Sequence, residues 1–79
     1  MAVEVSLPEL GEDIEYVTVT YWHYKVGDKV NEGDDLVEIS TDKAVFNVPS
    51  PASGVVLEIL VEDGDMAEVG EALGTIDEE

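Results

Sequence analysis

The chain has 79 residues, 44% of them apolar, with 20 acids, three lysines (Lys25, Lys29, Lys43) and no arginine, for a formal net charge of −17. That length makes one domain, read as residues 1–79, and only marginal stability from its core. So acidic a chain has no basic patch to follow a nucleic acid or an anionic membrane, and with no cysteine and one histidine it builds neither a disulfide nor an imidazole zinc site.

Strand signals run along the whole chain. Val3-Glu4-Val5-Ser6-Leu7 alternates apolar and polar residues, the period of a half-buried strand, and Pro8 ends it. Tyr16 to Trp22 alternates again, with Val17 and Val19 on one face and Thr18 and Thr20 on the other. Their β-branched and aromatic side chains suit strands and penalise helices. Leu36 to Thr41, Ala44 to Val48 and Val55 to Val61 have the same character. Turn formers separate these runs, among them Gly11, Gly27-Asp28, Gly33-Asp34, Pro49-Ser50-Pro51, Gly64-Asp65 and Gly70. Met66-Ala67-Glu68-Val69 has helical propensity, but Gly64 and Gly70 cut it short. Short, evenly spaced strands punctuated by Gly and Asp predict an all-β sandwich or barrel.

The sequence repeats at an offset of 37 residues. Gly27-Asp28 falls on Gly64-Asp65, Gly33 on Gly70, Leu36 on Leu73 and Ile39 on Ile76. Each copy reads strand, Gly-Asp turn, short strand, Gly turn, strand. Duplicated units facing each other across a pseudo-twofold axis would close a small flattened barrel. Ser40 to Val45 joins the copies, so the two termini are expected together at the opposite end.

Asp42-Lys43 is a two-residue loop between Leu36–Ser40 and Val45–Val48, the tightest link for antiparallel strands. It lacks the glycine of the primed turns, so a type I turn is expected, with Asp42 bonding locally to the backbone. Lys43 would stand at a protruding tip. A solvated lysine amine is protonated near neutrality and a poor nucleophile. With no base and no pocket, Lys43 is a poor catalyst but a good attachment point for an enzyme that forms an amide.

Asp42-Lys43-Ala44 between two strands, followed by Val48-Pro49-Ser50-Pro51 and Gly54, resembles the lipoyl domain of 2-oxo acid dehydrogenase complexes. The resemblance extends to Leu7-Pro8-Glu9-Leu10-Gly11-Glu12, Trp22, Lys25-Val26-Gly27-Asp28-Lys29-Val30, Leu36-Val37-Glu38-Ile39, Gly64-Asp65 and Val69-Gly70. Asp13 departs from it, since many members have a second glycine after Gly11-Glu12. The resemblance implies an all-β flattened barrel, or sandwich, of two four-stranded antiparallel sheets with internal pseudo-twofold symmetry. It also implies lipoic acid in amide linkage to Lys43, with Asp42 and Ala44 flanking it for recognition by a lipoate ligase or lipoyl-transfer enzyme.

By the same resemblance, a thiamine-diphosphate 2-oxo acid decarboxylase component reduces and acylates the lipoyl arm. The acyl group passes to an acyltransferase core, which is absent from this chain, and a flavin dihydrolipoyl dehydrogenase reoxidises the arm. The loop Leu10, Gly11, Glu12, Asp13, Ile14 and Glu15 is implied to lie beside the tip and to be recognised by the decarboxylase. The domain itself is a non-catalytic carrier, expected to be monomeric.

The biotinyl carrier domain of biotin-dependent carboxylases shares the fold, but its lysine lies between two methionines. Here the neighbours are Asp42 and Ala44, which favours the lipoyl class. An unmodified interaction module, with Lys43 an ordinary turn residue, is the alternative from outside the carrier class. An independent enzyme is disfavoured, since no nucleophile–base pair or phosphate loop is present. His23 reads as a strand residue, and the adjacent carboxylates of Glu12-Asp13 are too few to coordinate a metal. No apolar run approaches the ~20 residues of a membrane span, and Met1-Ala2-Val3-Glu4 has no signal-peptide pattern. A cytoplasmic location is expected, or the mitochondrial matrix for a eukaryotic precursor. The acidity also suits a salt-rich medium, where a short Debye length screens self-repulsion.

Overall fold

The computed structural model describes residues 1–11 and 13–78. Eight strands are formed: β1 (Ala2–Ser6), β2 (Tyr16–Trp22), β3 (Lys29–Val30), β4 (Asp35–Ser40), β5 (Val45–Pro49), β6 (Gly54–Ile59), β7 (Met66–Glu68) and β8 (Ala72–Glu78). They make two four-stranded antiparallel sheets, ordered β1-β8-β6-β3 and β5-β4-β2-β7. No helix occurs among the described residues. The segment of helical propensity forms the strand β7 over Met66–Glu68, because the five residues between Gly64 and Gly70 are too few to nucleate a helix. In β7, Ala67 is buried while Met66 and Glu68 face solvent.

Shifting every strand number by four turns one sheet order into the other, so the two halves of the chain are related by a pseudo-twofold. The offset of 37 residues holds for single hydrogen bonds. Gly27 N–H donates to the Val56 carbonyl at 2.8 Å, and Gly64 N–H to that of Val19 at 2.7 Å. Val56 N–H donates to the Asp28 carbonyl at 2.9 Å, and Val19 N–H to that of Asp65 at 2.7 Å. Gly27 and Gly64 have φ of 94° and 88°, a left-handed conformation that strains any residue with a Cβ. In each turn the following aspartate accepts from the backbone, Asp28 from Lys25 N–H and Asp65 from Glu62 N–H. Both β2 and β6 carry a bulge at the same place, between Val19 and Tyr21 and between Val56 and Glu58.

The core lies between the sheets. Val17 and Val19 are buried while Thr18 and Thr20 are exposed, as the alternation predicts. The repeat pairs Leu36/Leu73 and Ile39/Ile76 are all fully buried. The sheets are joined at two corners. Leu7 N–H donates to the Glu71 carbonyl and Gly70 N–H to that of Leu7, each at 2.9 Å. In the other half, Ser50 N–H donates to the Asp34 carbonyl at 2.8 Å and Gly33 N–H to that of Ser50 at 2.9 Å. Leu7 and Ser50 are therefore equivalent, yet they lie 43 residues apart instead of 37. The excess of six residues falls in one connection. Nine residues separate Leu7 from Val17, whereas three separate Ser50 from Gly54.

Near the second corner the Tyr24 hydroxyl donates to Asp34 Oδ2 at 3.3 Å. Partial burial, and then the adjacent Asp34 carboxylate, raise the phenol pKa above its ordinary value of 10.0.

The pseudo-twofold also places the two ends of the chain. It carries the β4–β5 hairpin onto the gap between β8 and β1. There Glu78 N–H donates to the Met1 carbonyl at 2.8 Å, and the N-terminal ammonium pairs with Asp77 at 3.4 Å. β5 runs from Val45 beside the hairpin to Pro49, and after the short link Gly54 lies against Glu78. The termini are thus at the far end of a particle 35 Å long from the hairpin.

Candidate functional site

The hairpin is built by ladder pairs that stop at Ser40 and Val45. Thr41 N–H then donates to the Ala44 carbonyl at 2.8 Å, which leaves Asp42 and Lys43 as the two-residue tip. Neither has a positive φ, so the primed turns are excluded, in line with the absence of glycine. The local capping differs from expectation. The Thr41 hydroxyl, and not Asp42, bonds to the backbone: Oγ1 accepts from Lys43 N–H at 3.2 Å and from Ala44 N–H at 3.1 Å, and donates to the Ala44 carbonyl at 3.3 Å. Thr41 is one residue nearer the strand, so its short side chain already faces both amides. A hydroxyl residue directly before a two-residue loop was the signal available in the sequence.

Asp42, Lys43 and Ala44 are all exposed. The Lys43 ammonium makes no hydrogen bond or ion pair with any described residue. An amine that stands free, on a turn fixed by backbone bonds, fits an amide-linked prosthetic group: the acylating enzyme can reach it without breaking contacts. Ala44 offers only a methyl group beside it.

The loop 10–15 lies alongside. Asp13, Ile14 and Glu15 share an open cleft of about 600 Å³ with Ser40, Thr41 and Asp42. Leu10 and Ile14 are half-buried against the core and anchor the loop, helped by Ile14 N–H to the Gly11 carbonyl at 3.2 Å and Val69 N–H to that of Glu15 at 3.0 Å. Gly11, Asp13 and Glu15 face solvent; Glu12 lies outside the described residues. This loop holds the six residues that the second half lacks. His23 follows the strand β2, where its Nε2 lies 2.8 Å from Asn47 Oδ1 and its ring meets that of Tyr21 edge-on.

Comparison with known proteins agrees with this geometry. The family described as "Biotin-requiring enzyme", which unites biotin and lipoyl attachment domains, matches residues 3–76. The dihydrolipoyllysine-residue acetyltransferase components of the pyruvate dehydrogenase complexes of Staphylococcus aureus and Staphylococcus epidermidis are 44% identical over 77 residues, 98% of this chain. The chain spans 18% of the length of those relatives. Among solved structures, the lipoyl domain of the Azotobacter vinelandii 2-oxoglutarate dehydrogenase complex superposes with a TM-score of 0.78 at 38% identity, covering 96% of each chain. The Kluyveromyces lactis urea carboxylase superposes with a TM-score of 0.82 at 27% identity, over 98% of this chain and 6% of that one. The two superpositions are nearly equal in TM-score, while the sequence identity is higher to the lipoyl domain. The chain belongs to the biotin/lipoyl-attachment family and is a lipoyl domain.

Proposed function

We propose that Lys43 is the residue that carries the lipoyl group, as the attachment point of a swinging arm in a 2-oxo acid dehydrogenase complex. One observation carries the reading: the Lys43 ammonium stands exposed, with no hydrogen bond or ion pair to any described residue, at a hairpin tip held by backbone bonds. In the modification a lipoate ligase presents the lipoyl carboxyl in activated form. Lys43 Nζ, having given up one proton, forms the N–C bond, the bond to the activating group breaks with its electron pair, and the nitrogen loses its second proton. When bound, the lipoyl group supplies a dithiolane able to take up acyl groups and electrons. The protein's own contribution is to hold the point of attachment at the end of a 35 Å particle opposite its termini, so that tethering to a larger assembly raises the effective concentration of the arm at successive sites.

The partners that follow are a thiamine-diphosphate 2-oxo acid decarboxylase, an acyltransferase core and a flavin dihydrolipoyl dehydrogenase. The loop 10–15 is the natural recognition element for the decarboxylase. It flanks the tip, and it is the one place where the two halves differ in length, so the barrel does not require it. The chain is a carrier, with its transfer chemistry performed by those partners, in the cytoplasm or mitochondrial matrix.

A second reading, biotin on Lys43, draws on the family itself, whose description is that of biotin-requiring enzymes. Intact-mass measurement after separate co-expression with a lipoate ligase and a biotin ligase decides between them. A gain of one lipoyl group, abolished by Lys43→Arg, is expected. A biotinyl gain alone would support the second reading, and no gain with either ligase would overturn both.

A further inference from the structure

We infer that Thr41 is a positioning residue for the modification of Lys43, an assignment that rests on Lys43 being the lipoylated residue. The pseudo-twofold gives the reason to look here. Almost every turn has a counterpart 37 residues away, but the β4–β5 hairpin maps onto the gap between the chain termini, so no second copy shows what the barrel alone requires. What the tip contains beyond the ladder is the Thr41 hydroxyl.

That hydroxyl uses its full bonding capacity, one donated and two accepted hydrogen bonds. It accepts from the amides of Lys43 and Ala44 and donates to the Ala44 carbonyl, at 3.2, 3.1 and 3.3 Å. A regular type I turn would bond the Ala44 amide to the Thr41 carbonyl. Here the side chain takes that bond and adds the amide of Lys43 itself. The direction in which the Lys43 side chain leaves the backbone is therefore set by Thr41.

The ladder does not depend on it. Ser40 pairs with Val45 and Ile39 with Phe46, and Ile39 and Val48 are buried. Removing the hydroxyl leaves two amides at a solvated tip, where water can replace the lost acceptor. The barrel stays folded while the tip samples more conformations, of which a ligase accepts few. Such a loss lowers the competent fraction and raises KM, leaving kcat in place.

The test is steady-state lipoylation of the unaltered chain, Thr41→Val and Thr41→Ser by a lipoate ligase, followed by intact mass. Thr41→Val, close in shape but without the hydroxyl, is expected to raise KM about tenfold with kcat unchanged, and Thr41→Ser to stay within about twofold of the unaltered chain. Equal KM for all three overturns the assignment, as does a fall confined to kcat or a Thr41→Ser as impaired as Thr41→Val. Absence of modification on the unaltered chain removes the Lys43 reading itself, and this assignment with it. Amide hydrogen exchange on the unaltered chain gives an answer even if Thr41→Val fails to fold. Protection of the Lys43 and Ala44 amides about tenfold above the Asp42 amide is expected, and equal exchange at all three overturns the assignment.

Discussion

Trp22 reaches across the sandwich to lie over Gly74: a Cβ built on Gly74 would stand 2.9 Å from Cη2 of the indole. The indole is fixed from two further directions. Its Nε1 donates to the Val61 carbonyl at 2.7 Å, and its backbone N–H to Asp63 Oδ1 at 3.1 Å. Offset by 37 residues, the equivalents of Trp22 and Gly74 are Ile59 and Val37. The repeat thus sets the largest side chain and the smallest at two positions whose counterparts hold residues of middling size.

Gly74→Ala is therefore expected to destabilise the domain by about 1–3 kcal/mol, since the added methyl would stand 2.5 Å from the Glu58 carbonyl oxygen on the neighbouring strand as well as 2.9 Å from the indole, and both must give way. Urea denaturation followed by tryptophan fluorescence measures it, and a blue or red shift of the folded-state emission would show that the indole has moved. A stability equal to that of the unaltered chain would mean that both Trp22 and the β6 backbone at Glu58 can give way without cost.

Tyr24 gives the pH dependence a sign. Its folded-state pKa is raised by partial burial and by Asp34, so the folded chain holds the phenolic proton more tightly than the unfolded chain. The stability this contributes is complete below pH 10, the ordinary phenol value, and is lost as pH rises through the folded value. Melting curves from pH 8 to 11 should show a steeper alkaline decline for the unaltered chain than for Tyr24→Phe. Parallel declines would refute the linkage.

The net charge of −17 makes repulsion a global term in stability. Raising monovalent salt from about 10 mM to about 1 M shortens the screening length from roughly 30 to 3 Å. A gain of about 1 kcal/mol would lift the melting temperature of a domain this size by about 4–8 °C. Calorimetry across that range checks it, with a flat response counting against the role given to repulsion.

The proposed recognition role of the loop 10–15 can be tested through its two described, exposed carboxylates, Asp13 and Glu15. Asp13→Asn with Glu15→Gln should leave folding and lipoylation unchanged. It should raise the KM of the thiamine-diphosphate decarboxylase for the lipoylated domain by about threefold to tenfold, because rim charges act chiefly through encounter. Reductive acylation kinetics at low and high salt measure this, and the difference should shrink at high salt.

Local pattern in the sequence was enough for much of this architecture. The Val17/Val19 alternation, the Gly-Asp turns and the 37-residue repeat each report on neighbours within a few residues or on their copies, and each is matched in the structure. The tip at Lys43 was legible for the same reason, being bounded by two strong strand signals. The meeting of the chain's extremes, sealed by the pairing of β1 with β8, followed from the same repeat. Two features were legible only in part or not at all. A hydroxyl residue before the loop is visible at Thr41, but its bonds depend on where an oxygen sits relative to two amides, a matter of ångströms that residue type does not specify. The fit of Trp22 to Gly74 is a property of two sheets brought face to face, and neither residue marks the other in the linear order.

Because Met1 and Glu78 are hydrogen-bonded neighbours, the domain spanned by these residues is close to a closed ring. Stitching residue 79 to residue 1 with a few glycines and opening the ring between Lys43 and Ala44 would yield a permuted domain in which the Lys43 amine hangs from a loose C-terminal tail. Such a molecule would keep the barrel and lose the fixed bend, and so would separate what an acylating enzyme reads in the scaffold from what it reads in the curvature around its target.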